Sequence, residues 1–119
     1  MKYMLLIYGP HRDREPTPEE WAASMPAWEA FTEGLRRDGS YVDAAPLAGI
    51  NTATTVRVRD GKRATTDGPF AETKEVLGGY YVIDVPSIDA ALDAAAACPA
   101  ASNGGSVEVR PIVDVGVEV

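Results

Sequence analysis

The sequence predicts an α+β domain: one antiparallel sheet with two helices on one face and an extra β-hairpin in mid-chain. Three observations carry this expectation. Strand-like runs at 2–8, 41–47, 80–85 and 106–113 are rich in Val, Ile, Leu and Tyr and are bounded by Gly and Pro. Two stretches with helical apolar spacing, at 17–35 and 87–97, follow the first and third of these runs. Between the second and third runs, Asp60-Gly61 joins two short segments, as a two-residue hairpin turn does.

Each element has its own local reason. Residues 2–8 are apolar on both faces, which suits a central strand covered on both sides, and Gly9-Pro10 ends it. Thr17-Pro18-Glu19-Glu20 supplies a helix start: a threonine cap, proline at the first helical position and glutamate three residues after the cap. Trp21, Met25, Trp28, Thr32 and Leu35 follow at spacings of four, three, four and three, forming one stripe on a helix face. Pro26 removes a backbone donor inside that stripe and predicts a kink or two abutting helices, with Asp38-Gly39 at the close. Residues 54–59 alternate, with Val56 and Val58 on one face and Thr55, Arg57 and Arg59 on the other, and 62–66 are expected to pair back. Gly78-Gly79 opens the strand at 80–85, and Pro86-Ser87 ends it and caps the second helix. There Ile88, Ala91, Leu92, Ala95 and Ala96 predict one buried stripe, and Pro99 stops the helix. Asn103-Gly104-Gly105 reads as a turn into the last strand, and the alternating tail 114–119 extends that strand or pairs with another chain.

Without the hairpin the order is βαββαβ, the ferredoxin-like plan. Two helices cover only one face of such a sheet, yet Met4, Leu6, Tyr8, Tyr81, Ile83 and Val85 are apolar at both parities of their strands. A second copy of the same sheet would cover the other face, so the pattern predicts a homodimer with two sheets face to face.

Composition narrows the function classes. At 119 residues, 45% apolar and 24% charged, the chain fits a single domain over 1–119 with a core that needs no staples. Eighteen acids against eleven bases give a formal charge of −7, which disfavours nucleic acid as a partner. Arg57, Arg59, Lys62 and Arg63 do cluster, but around the hairpin turn, where charged residues are expected to face water. No apolar run approaches the roughly 20 residues that span a bilayer, and no cleavable leader pattern is seen, so no membrane partner and a cytoplasmic location are expected. One cysteine, Cys98, and one histidine, His11, leave no internal disulfide, no thiolate cluster and no multi-histidine metal site. Cys98 is expected to be a small buried hydrophobe. No phosphate-binding glycine loop or nucleophile elbow occurs, so no cofactor is expected.

The densest motif is Asp67-Gly68-Pro69-Phe70-Ala71-Glu72-Thr73-Lys74-Glu75, an acid and an aromatic around two turn formers, followed by a run of charge. It lies between two strands, where scaffolds commonly display binding groups. This string closely resembles the signature of the DGPF family, a branch of the YCII-related proteins. The similarity runs end to end. Lys2-Tyr3-Met4-Leu5-Leu6-Ile7-Tyr8 looks like the family's first strand, Trp28-Glu29-Ala30-Phe31 with Leu35 its first helix and Thr54-Thr55-Val56-Arg57 its hairpin entry. Leu77-Gly78-Gly79-Tyr80-Tyr81 looks like the strand after the motif, and Cys98-Pro99-Ala100-Ala101 with Val107-Glu108-Val109-Arg110-Pro111 the usual close. The resemblance implies α+β domains pairing into a dimeric barrel, chemistry that is largely uncharacterised, and a regulatory or stress setting, since such genes often lie beside those for extracytoplasmic-class sigma factors. A histidine–aspartate pair has been suggested as catalytic in the wider YCII group. Asp67 is the matching aspartate, whereas the histidine does not transfer, because the first helix has none and His11 precedes it.

Two roles fit Asp67: a general base or ligand anchor facing a cleft, or a carboxylate that caps the Gly68-Pro69 turn. His11 is the candidate assisting proton carrier. Phe70, Tyr81, Trp28 and Lys74 are the candidate ligand-binding groups, with core packing or a solvated turn as the plainer roles. Two readings of function follow: a dimeric barrel that binds a small organic molecule near Asp67, with cofactor-free acid/base chemistry, or a non-catalytic regulatory or interaction module. A cleft of at least a few hundred Å³ distinguishes the first.

Overall fold

The computed structural model describes residues 1–12, 14–68 and 74–116. In chain order they form β1 (Lys2–Pro10), α1 (Pro18–Arg37), β2 (Tyr41–Pro46), a one-turn 3-10 helix (Ile50–Thr52), β3 (Thr54–Arg59), β4 (Lys62–Asp67), β5 (Glu75–Asp84), α2 (Ile88–Ala97), α3 (Pro99–Ser102) and β6 (Ser106–Pro111). Strands β2-β5-β1-β6 make one antiparallel sheet in that order. This mixed α+β arrangement is consistent with the ferredoxin-like plan.

Helix α1 starts as its sequence dictates. The Thr17 hydroxyl accepts from the Glu20 amide at 3.1 Å, and the Glu20 carboxylate accepts from the Thr17 amide at 3.2 Å. At the far end the Gly39 amide donates to the Arg36 carbonyl and the Ser40 amide to the Leu35 carbonyl, with Gly39 at φ +74°. That pattern is a Schellman closure, which needs a left-handed residue where glycine stands. Of the kink or two abutting helices expected at Pro26, the second is not found: Pro26 lies inside one 20-residue helix. Its missing amide removes one hydrogen bond, and the surrounding turns hold.

The core lies on one face of the sheet. Tyr3, Leu5 and Ile7 of β1 and Tyr81 and Ile83 of β5, with Val85, pack against Phe31, Leu35, Ala91, Ala95 and Cys98. The opposite parity, Met4, Leu6, Tyr8, Tyr80 and Val82, is half-buried, with no described element laid over it. β5 begins three residues earlier than the Gly78-Gly79 opening predicted. The ladder shifts register between Ile7 and Tyr8, opposite Gly78, and a side chain at Gly79 would stand 2.9 Å from the Ala45 carbonyl oxygen. Glycine at 79 thus lets β2 approach closely, and pairing runs through instead of stopping.

α2 departs from its predicted stripe. The Ser87 hydroxyl accepts from the Ala90 amide as expected, and Ala91 and Ala95 are buried, but Ile88 and Leu92 are 44% and 49% exposed. An alanine face lets the helix sit close to the sheet, so the helix turns its small side inward and its large side outward.

β3 and β4 pair only with each other, in the register Thr54↔Asp67 to Arg59↔Lys62. Asp60 and Gly61 both have positive φ, 51° and 74°, as a type I′ turn requires. Among the described residues, no helix is long and apolar enough to cross a membrane.

Candidate functional site

The two halves of α1 behave differently, and a cleft results. Phe31 and Leu35 are buried against the sheet, Met25 and Trp28 are half-buried, and Trp21 is 51% exposed. The single apolar stripe read from the sequence is therefore graded: its C-terminal half packs and its N-terminal half stands off. Between that half and strands β1, β5 and β2 opens a cleft of about 1080 Å³, floored by Tyr81, Ala44 and Gly79 and walled by Trp28, Met25 and Trp21. A smaller hollow of about 390 Å³ continues past Trp21 toward Pro46 and Leu47.

Trp28 and Tyr81 both line this cleft. Their rings stack with centroids 6.2 Å apart and planes within 10°, while Phe31 meets both edge-on, at 6.3 Å from Trp28 and 5.0 Å from Tyr81. Tyr41 stands edge-on to Tyr81 at 6.4 Å, and the Arg36 guanidinium lies 4.7 Å from the Tyr41 ring centre. The polar end is a short relay. The Thr32 hydroxyl donates to the Trp28 carbonyl at 2.9 Å, which commits its only proton. The 2.6 Å contact between the Thr32 and Tyr81 hydroxyls is then a donation from tyrosine to threonine. Burial pushes the Tyr81 phenol above its ordinary value of 10.0, with smaller pulls downward from the Thr32 hydrogen bond and Arg36. With its proton held by Thr32, the neutral Tyr81 oxygen keeps its acceptor capacity, and Tyr81 lines the cleft. Charge sits on the walls and rim: Glu29, Glu33, Arg12 and Arg36 all line the cleft.

One corner of the rim is fixed by ion pairs. Arg14 bonds Glu20 at 2.7 Å and Arg12 reaches the same carboxylate at 3.4 Å. The Arg14 bond, then the Thr17 amide, hold Glu20 down to about 2 from the usual 4.5.

The residues singled out in the sequence are spread across the fold. Trp28 and Tyr81 come together in the cleft. Asp67 is the exposed last residue of β4, opposite Thr54, and is not among the residues lining the cleft. The turn entry beside it is held at Gly68, whose amide donates to the Ala53 carbonyl at 2.7 Å and whose carbonyl accepts from the Thr55 hydroxyl at 2.8 Å. His11 and Lys74 meet through the backbone, the His11 amide donating to the Lys74 carbonyl at 2.8 Å, and both side chains are exposed. Their neighbours Pro10, Arg12 and Val76 line the cleft, so this junction borders its rim. Phe70 lies outside the described residues. Thr32, Tyr41 and Arg36 were not legible as site residues. The one available signal was a hydroxyl, Thr32, inside an otherwise apolar helical stripe.

Cys98 is 1% exposed, and burial first of all pushes its thiol above the ordinary 9.0, with the Ala100 amide pulling the other way. It is a core residue, as expected. No group of three or more His, Cys, Asp or Glu gathers in metal-binding fashion among the described residues.

Residues 1–116 match the YCII-related domain. The chain is also similar to an uncharacterised protein of Rhizobium meliloti (strain 1021), with 44% identity over 79 residues, covering 60% of this chain and 64% of that protein. The chain thus spans just under two thirds of the length of that relative.

Proposed function

The chain belongs to the YCII-related family, and on that footing we propose that it binds a flat, mainly apolar organic molecule in the cleft between α1 and the sheet. The carrying observation is the stacked Trp28–Tyr81 pair in the lining of a cleft of about 1080 Å³. Pockets that hold small molecules are concave and largely apolar, with a few convergent polar groups. Here those groups are the Tyr81 oxygen and the Arg36, Glu29 and Glu33 side chains. A planar ring system would extend the existing aromatic stack, and a hydroxyl or amine on it would donate to Tyr81.

We place the molecule in the DGPF branch on the string Asp67–Glu75, and propose a homodimer through the open sheet face and a cytoplasmic setting on the sequence pattern. Lys74, second to last in the Asp67–Glu75 segment, accepts from the His11 amide beside the cleft's rim, which supports a part for Lys74 and His11 at the entrance. Binding by the Trp28–Tyr81 pair needs no acid/base group, so the reading does not depend on catalysis by Asp67.

The test is a titration with anilinonaphthalene sulfonate, an aromatic anion with a flat naphthalene ring, followed by its fluorescence. Saturable binding at one site per chain is expected. Trp28→Ala should weaken it about ten-fold, roughly the loss of one stacking partner, and Asp67→Asn should leave it unchanged. Binding that is unsaturable, or indifferent to Trp28→Ala, would remove the cleft from consideration.

A further inference from the structure

Two exposed patches of the molecule are complementary in spacing and sign. The first is on the β3–β4 ribbon. Val56 and Val58 share one face and are 55% and 67% exposed, with Arg63 directly across from Val58. Residues 54–67 hold four bases, Arg57, Arg59, Lys62 and Arg63, against Asp60 and Asp67, a net of +2. Since the whole chain is −7, everything outside the ribbon carries −9. The second patch is on α2. Ile88 and Leu92 are its exposed large residues, flanked by Asp89 and Asp93, and the helix contains no base.

The dimensions agree too. Ile88 to Leu92 is one helical turn, an advance of about 6 Å, and Val56 to Val58 is two strand residues, about 7 Å. A two-stranded ribbon is at best marginally stable alone in water, yet this one makes few contacts with the rest of the described fold. The molecule is also extended: the radius of gyration is 16.2 Å, against roughly 13–14 Å for a compact chain of this length.

From these observations we infer that the β3–β4 ribbon of one copy docks on α2 of a second copy. Val56 and Val58 cover Ile88 and Leu92, and Arg63 faces Asp93. Charge selects a second copy as the occupant: the ribbon is the basic part of an acidic protein, and α2 offers an acidic apolar surface of matching pitch. The contact uses neither the open sheet face nor the cleft.

The experiment joins two named positions on different chains. One preparation carries Val58→Cys and another Leu92→Cys, and the two are mixed and mildly oxidised; native Cys98 is buried and stays out of the reaction. A Val58–Leu92 disulfide needs Cα atoms within about 7 Å, so the mixed cross-link is expected to dominate. The control pair, Arg59→Cys on the opposite ribbon face with Leu92→Cys, is expected to give little. Pairing through the sheet face does not by itself produce this bond, so failure here is separate from failure of the homodimer proposed above. In sedimentation, Arg63→Glu and Asp93→Lys should each weaken self-association about ten-fold, and together recover most of that loss. Equal yields from test and control pairs would overturn the inference, as would charge reversals without mutual rescue. Retention of duplex DNA abolished by Arg63→Glu, with self-association unchanged, would also overturn it and assign the ribbon to nucleic acid.

Discussion

Tyr81 shows how one side chain serves core and site together. Its ring is buried among Trp28, Phe31 and Tyr41, and its hydroxyl is tied to Thr32 at the edge of the cleft. Tyr81→Phe keeps the packing and removes one hydrogen bond, so a loss of about 1 kcal/mol in urea unfolding is expected. The pH dependence has a definite sign. A phenol whose folded value is raised stabilises fully below its unfolded value of 10.0, and that contribution is lost as pH rises through the raised value. The native protein should therefore lose stability above about pH 10 more steeply than Tyr81→Phe, as unfolding midpoints across alkaline pH would show. Trp28 and Tyr81 were legible in the sequence because aromatics at helical spacing and in a strand face inward. Their stacking was not legible, since it depends on how α1 crosses the sheet. Asp67 stood out by its motif, and a motif does not say which way a strand end faces.

Local chemistry fixes the ends of the elements. The Thr17–Glu20 box, the Asp60-Gly61 turn and the Ser87 cap each bond within a few residues, so sequence alone located them. Thr17→Ala should cost about 1 kcal/mol, measured by thermal unfolding. Glu20 gives the first turn of α1 an acid sensitivity. Its value is lowered to about 2 from 4.5, so its stabilising contribution is present above 4.5 and is lost as pH falls toward 2. Amide exchange at the start of α1 should quicken across that window, and Glu20→Gln should flatten the response. The buried face of α2 was read right for its alanines and wrong for its large residues, for a reason of size. Periodicity put Ile88, Ala91, Leu92, Ala95 and Ala96 on one stripe, and close packing on the sheet buried Ala91 and Ala95 while leaving Ile88 and Leu92 outside.

The whole molecule is a slab, 47 × 43 × 21 Å, with helices on one side of its sheet. The sequence carried this plan through the alternation of its strands and the order of its elements. The cleft was not carried there, because it comes from the lift of half a helix over strands far away in the chain. The open face of Met4, Leu6, Tyr8, Tyr80 and Val82 is the slab's second broad surface. Leu6→Asp should leave the monomer folded, since Leu6 is outside the core cluster, and abolish pairing through this face. Sedimentation would show the smaller species, and a native chain that is already monomeric at micromolar concentration would sink the homodimer proposal.

The ribbon's basic residues also make it a built-in reporter for proteolysis. Trypsin cuts after lysine and arginine, and four of the chain's eleven such residues stand on β3 and β4, away from the core. Cleavage tracks how often a segment opens, so dilute protein should be nicked first at Arg57, Arg59, Lys62 or Arg63. At concentrations where copies shelter one another's ribbons, the same sites should survive longest.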